Sequence, residues 1–180
     1  MIFCRLDLYF FPILDIYTPI DRTILGYKEL FSPIRRFSMK KAAVIHDLSG
    51  FGKCSLTAAI PVLSALGVQC CPVATAVLTG QTGYPCYHCT DLTAMLPDYI
   101  DAWGKNNAHF DAIYSGFLTG AEQISQVLDF IRQFREEHTL LLVDPVMGDD
   151  GNAYPFFTPG LLNGMKELTL EADVITPNLT

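Results

Sequence analysis

Thr139-Leu140-Leu141-Leu142-Val143, followed at once by Asp144-Pro145-Val146-Met147-Gly148-Asp149-Asp150, is the stretch whose reading decides the fold. A short apolar run bounded by turn residues reads as a strand buried on both faces, as in a parallel sheet. Carboxylates just past the carboxyl end of such a strand lie where open α/β sheets bind their ligands. Pro145 and Gly148 force a bend, so Asp144 and Asp149 are expected to face one crevice. Two such acids suit a divalent metal and a polyphosphate better than they suit a core, which points to phosphoryl transfer.

Working outward from that run, strand and helix patterns alternate from Lys41 onward. Residues 42–46 read as a first strand, followed by a glycine-bearing loop over residues 47–53. A helix is expected over 55–66, with Leu56, Ala59, Ile60 and Leu63 at helical spacing, Pro61 inside it and Gly67 just past its end. Residues 68–78 read as a second strand region and 91–102 as a helix. Strands are expected at 111–114 and 173–175, the first turning at Ser115-Gly116. An amphipathic helix is expected over 120–137, with Ile124, Val127, Leu128, Ile131 and Phe134 on one face, and another near 159–169. Strands separated by helices imply right-handed crossovers, hence a three-layer α/β/α fold around a mostly parallel sheet.

Composition narrows the function classes. The chain has 180 residues, enough for one substantial core and too few for two full domains. Half of it is hydrophobic and 17% charged, which places it among packed globules. Twelve basic residues against nineteen acidic ones, a net charge of −7, argue against a general nucleic-acid surface. Of the six cysteines, Cys86 and Cys89 form a Cys-x-x-Cys pair around His88, with Cys70-Cys71 upstream. Adjacent Cys70-Cys71 is poor zinc geometry, so ordinary reduced thiols of a cytoplasmic protein are the expectation, ahead of zinc or a redox pair.

Residues 1–38 differ from the rest. They are rich in aromatics, carry Pro12, Pro19 and Pro33, and show no clean helical or strand period. They lack the charged start and long apolar core of a signal peptide, and their longest uncharged stretch, residues 8–14, is too short to span a bilayer. Residues 39–41 running into the first strand read as a natural start. Residues 1–38 are therefore expected to be an atypical N-terminal extension, or the product of a misplaced start codon, ahead of a domain at 39–180. The chain stops after Ile175-Thr176-Pro177-Asn178, a strand end in mid-pattern, and so reads as incomplete at its C-terminus.

The loops carry the chemistry. Residues 47–53 follow strand one and open a helix, where backbone amides meet an anion. Their spacing matches neither phosphate-loop pattern, so a phosphate cradle, a substrate loop and a plain turn stay open. Asp47 and Ser49 beside Phe51 would suit a small aromatic heterocycle, with acceptors for its polar atoms and a ring for stacking. Thr82-Gly83-Tyr84 closes the second strand region on the same sheet edge. His46, at the end of strand one, is read equally as a substrate contact and as a structural histidine. Nothing is assigned to His88, His109 or His138, and the absence of a Gly-x-Ser-x-Gly elbow argues against a Ser-His-Asp hydrolase.

In order and spacing, residues 46–55 (His-Asp-Leu-Ser-Gly-Phe-Gly-Lys-Cys-Ser), 81–85 (Gln-Thr-Gly-Tyr-Pro), 144–149 (Asp-Pro-Val-Met-Gly-Asp) and 175–178 (Ile-Thr-Pro-Asn) resemble the pyridoxal kinases of the ribokinase-like superfamily. The resemblance covers residues 39–180. It implies ATP-dependent phosphorylation of the 5′-hydroxymethyl of pyridoxal, pyridoxine or pyridoxamine, with Mg2+, in a protein that is a homodimer at full length and has no nucleic-acid or membrane partner. By position, Asp47, Ser49, Thr82 and Phe117 would line the vitamin pocket. Asp144, Asp149, Thr176 and Asn178 would face ATP, with Asp149 and Tyr154 at the metal. The family's Gly-Thr-Gly-Asp-like segment, which holds the general base, has no match here. The resemblance therefore implies a base downstream of Thr180 and an inactive fragment. Two alternatives remain: a hydroxymethylpyrimidine kinase, which shares the fold and the Asp-Pro-Val-Met stretch, and a non-catalytic ligand-binding protein.

Overall fold

The structure, a computed structural model, describes residues 39–149 and 151–178. What was expected of residues 1–38, and of Asp150, Leu179 and Thr180, lies outside the described residues.

The central strand, β1 (Lys41–Ser49), buries six consecutive residues, 42–47, as a strand covered on both faces must. It pairs in parallel with β2 (Gln69–Leu78) on one side and β4 (Ala112–Ser115) on the other. The sheet continues outward through β5 (Leu140–Val143) to β8 (Val174–Ile175), both parallel to their neighbours. At the opposite edge β3 (Cys89–Asp91) runs antiparallel to β2, giving the order β3-β2-β1-β4-β5-β8. Between β5 and β8 a two-strand hairpin, β6 (Gly148–Asp149) with β7 (Asn152–Ala153), stands apart from the main sheet.

Helices cover both faces of the sheet. The helices α2 (Leu96–Lys105), α3 (Ala121–Phe134) and α4 (Pro159–Leu170) bury one apolar face with Ala43, Ile45, Ile113, Leu141 and Val143. In α3 the five residues expected on one face are all buried. The opposite face, carrying Ala42 and Val44, packs against Leu56, Ala59 and Leu63 of α1 (Ser55–Ala65). The architecture is thus the three-layer α/β/α arrangement with a mostly parallel sheet. The helix ends have local causes. α1 closes in a Schellman motif, in which Val68 N–H donates to the Leu63 carbonyl (2.9 Å) and Gly67 N–H to that of Ser64 (3.1 Å). Gly67 takes the positive φ of +75° that this motif demands. Thr158 caps α4 by accepting from Leu161 N–H (3.1 Å), with Pro159 in the first turn.

The differences from the sequence reading also have local causes. β1 runs on to Ser49, so Asp47, Leu48 and Ser49 are strand residues and not loop. Pairing resumes at Leu48 with Val77 and Ser49 with Leu78, after a register shift. Between His46 and Leu48 β1 advances two residues while β2 advances three, from Ala74 to Val77, which is a bulge in β2. Asp91 does not begin a helix: it ends β3, and its carboxylate accepts from Thr93 N–H (2.7 Å) at the start of a 3-10 turn, Thr93–Met95, that precedes α2. α3 stops at Phe134 because Arg135 turns extended.

Candidate active site

The direction of the chain through the sheet locates the site. β1 leads through α1 to β2 on one side, and the later crossover through α2 returns on the opposite face to β4 on the other side. The helices therefore diverge between β1 and β4, where open parallel sheets leave a crevice at the carboxyl ends of the strands. A cavity of about 380 Å³ lies there, of the size that small-molecule sites occupy. Its walls come from the ends of β1, β2, β4 and β5, from the first turns of α1, and from Tyr154 after the hairpin.

Asp47, Ser49, Thr82 and Phe117, the expected vitamin contacts, all line this cavity. Asp47 is buried, and Ser49 Oγ donates to one of its carboxylate oxygens (2.8 Å). The β2 bulge positions Phe117: Thr75 Oγ1 donates to the Phe117 carbonyl (2.9 Å), while Thr75 O accepts from Leu92 N–H (3.0 Å) and Gln123 Nε2 (2.9 Å). The Phe117 ring meets Tyr154 and Phe156 edge-on, at centroid separations of 6.4 and 5.5 Å. Phe51 is not the stacking ring that the sequence suggested. It is 65% exposed and packs on Tyr84, and the rings at the cavity belong to His46, Tyr114, Phe117 and Tyr154.

Of the residues expected near phosphate, Asp144 lines the cavity and is held behind by a hydrogen bond with Thr176. Burial pushes its carboxyl above the ordinary aspartate range, and the bond with Thr176 pulls partly back. Asn178 Nδ2 donates to the Gly148 carbonyl (3.0 Å), which ties the strand end after β8 to the hairpin. Asp149 is exposed on that hairpin, opposite Asn152. Its charge reaches the Tyr154 hydroxyl, whose pKa is raised first by burial, then by Asp149, and more weakly by Asp144. Tyr154 is thus a neutral phenol, hydrogen-bonded to Thr82, within reach of both acids. Among the described residues no three His, Cys, Asp or Glu side chains converge as a protein-only metal cage. A Mg2+ carried by a polyphosphate needs only one or two protein carboxylates, which Asp144 and Asp149 can supply.

Sequence reasoning missed Tyr114, Gln81 and Cys54 in the wall. Tyr114 was legible as a polar-tipped residue at the carboxyl end of a strand; Cys54 and Gln81 lie inside the quoted motifs 46–55 and 81–85 but were given no role. His46, left open above, lines the cavity, while His88, His109 and His138 are exposed. Cys54, Cys70, Cys71, Cys86 and Cys89 are free thiols. No helix among the described residues is long and apolar enough to cross a membrane.

No protein-family model matches the chain. It is 35% identical over 136 residues to a pyridoxine/pyridoxal/pyridoxamine kinase of Bordetella avium, covering 71% of this chain and 45% of that one. A Bacteroides thetaiotaomicron structure that bears the name phosphomethylpyrimidine kinase superposes with a TM-score of 0.77 at 47% identity, over 82% of this chain and 51% of its own. Another crystal form under that name, at 48% identity, was solved with pyridoxal. The pyridoxal kinase of Lactobacillus plantarum gives a TM-score of 0.72 at 33% identity, over 78% of this chain and 50% of its own. The fold is that of the ribokinase-like α/β proteins. Within that class its relatives are pyridoxal kinases, and the chain spans about half the length of those it matches.

Proposed function

We propose that the chain supplies the vitamin-binding part of a kinase that transfers a phosphoryl group from ATP to the 5′-hydroxymethyl of pyridoxal, pyridoxine or pyridoxamine. The observation that carries this reading is the convergence of Asp47, Ser49, Thr82, Phe117 and Asp144 on one cavity at the switch point of the sheet. In this reading Asp47, already taking one bond from Ser49, accepts from a donor on the vitamin ring, and Phe117 with Tyr154 closes over its apolar face. Asp144, backed by Thr176, and Asp149 face the nucleotide phosphates, with Asn178 holding the hairpin that carries Asp149. Mg2+, when bound, would neutralise phosphate charge between the two acids. Catalysis of this kind is positioning plus charge neutralisation, with no covalent intermediate. No described side chain is given the role of general base.

The hydroxymethylpyrimidine alternative is supported by the name of the Bacteroides protein, and the pyridoxal in a crystal form under that name supports the vitamin B6 reading. Calorimetric titration of the purified chain tests the choice. Pyridoxal is expected to bind more tightly than hydroxymethylpyrimidine, and Asp47→Asn to weaken pyridoxal about tenfold, the worth of one hydrogen bond to a charged group. ADP binding should change little. Preference for the pyrimidine, or an Asp47 variant that binds pyridoxal like the parent, would overturn the assignment.

A further inference from the structure

His46 is the buried polar group at the cavity that the proposed function does not use. It is 4% exposed, its ring lines the cavity, and its Nε2 has no hydrogen-bond partner. Two neighbours hold the imidazole in place. Tyr114 meets it edge-on at a centroid separation of 4.3 Å, and Gly116 lies against it so closely that any Cβ there would overlap the ring. A buried nitrogen left unpaired is destabilising, and folded proteins keep few of them. Rotation about the Cβ–Cγ bond exchanges ring nitrogens with carbons without leaving the plane packed on Gly116. Burial lowers the imidazole pKa to about 4, so near neutral pH the ring is uncharged and offers one donor and one acceptor. A neutral partner of this kind suits an uncharged substituent on a ring better than it suits a phosphate.

We propose that His46 selects the substrate by hydrogen-bonding the phenolic hydroxyl of an aromatic alcohol bound in the cavity. This inference rests on the pyridoxal-kinase reading and adds a contact to it. The test compares binding of pyridoxal and of its analogue lacking the ring hydroxyl to the 180-residue chain, by calorimetry. The parent is expected to favour pyridoxal about tenfold; His46→Leu should bind the two alike, and His46→Gln should restore part of the preference. In the parent, the imidazole 15N resonances of His46 should shift with pyridoxal and not with the analogue, a readout that needs no variant to fold. If His46→Leu discriminates as the parent does, or the imidazole resonances stay still while pyridoxal binds, the inference falls and the pyridoxal reading stands. If the parent binds neither ligand, both fall.

Discussion

At the residue scale the cavity combines two ionisable groups, one buried and one half-buried, pushed in opposite senses. His46 has its pKa lowered to about 4 by burial, against an ordinary 6.5. Above pH 6.5 the imidazole is neutral whether the chain is folded or not. As pH falls from about 6.5 toward 4, the unfolded chain takes up the proton and the folded one resists it. Stability is therefore lost across that window, on the order of 3 kcal/mol for a shift of this size. Urea unfolding at a series of pH values should show the parent losing stability relative to His46→Gln as pH falls, with the difference complete near pH 4. A constant difference between the two proteins would mean that the imidazole is not held neutral. Asp144 works the other way. Its carboxyl is raised by burial, so its contribution is fully present below the ordinary aspartate range and is lost as pH rises through its higher folded value. Comparing the parent with the His46 variant cancels that background.

At the scale of the elements, one buried amide joins three of them. Gln123, in the first turn of α3, is fully buried. Its Oε1 accepts from Thr119 N–H (2.9 Å), and its Nε2 donates to the Thr75 carbonyl of β2 (2.9 Å) and to Thr93 Oγ1 (3.1 Å). A second bond, from Thr119 Oγ1 to Asp91, ties the same loop to the edge strand β3. Gln123→Leu keeps much of the volume but takes the partner from the half-buried Thr119 N–H, at about 1–3 kcal/mol, and leaves the Thr75 carbonyl with Leu92 N–H alone. A loss of roughly 1–3 kcal/mol is expected in urea unfolding, and ligand binding should weaken as well, because Thr75 also holds the Phe117 carbonyl. A loss under about 1 kcal/mol would show that the network is dispensable.

The same elements show what a sequence can disclose. Strand β1 was legible because burial on both faces forces a continuous apolar run; β5 carries such a run too, although Leu140 is 45% exposed and only Leu141 and Val143 are buried. The buried face of α3 was legible because five apolar residues repeat at helical spacing. Asp47 to Ser49 read as loop because polar residues in a strand break that pattern, and here they are polar because they face a cavity. β3, β6 and β7 are three residues long or shorter, below the length at which a period of two can be recognised. The positions of Asp47, Ser49, Thr82 and Asp144 followed from strand ends. That Phe51 lies outside while Tyr114 faces the cavity depends on register, which no local pattern encodes.

At the scale of the whole molecule, apolar surface is unevenly covered. Among the described residues α1 is the one helix packed on its face of the sheet. Ile60 of α1 and Leu66 at its C-cap are 36% and 72% exposed, and Leu140, Val174 and Ile175 toward the β8 edge are each more than 40% exposed. Exposed apolar side chains of this kind recruit hydrophobic dyes. The folded chain should enhance anilinonaphthalene sulfonate fluorescence at pH 7, and Ile60→Gln with Leu66→Gln should lower that signal at an unfolding midpoint shifted by less than about 1 kcal/mol, as surface changes do. Unchanged fluorescence in the double variant would place the dye elsewhere.

The slip between β1 and β2 also divides the central strand in time. From Lys41 to His46 every residue has a partner in β2 and residues 42–46 are buried, so the amide protons of that buried run can meet solvent deuterium only when the sheet itself opens. At Asp47 the ladder is interrupted, and beyond it two residues, Leu48 and Ser49, restore it before the turn at Gly50. Deuterium should therefore enter the strand from its carboxyl end inward, and the boundary between slow and fast exchange should fall at Asp47. The residue proposed to grip the vitamin would then sit at the hinge between a permanent half of the strand and a half that opens often enough to let a ligand in.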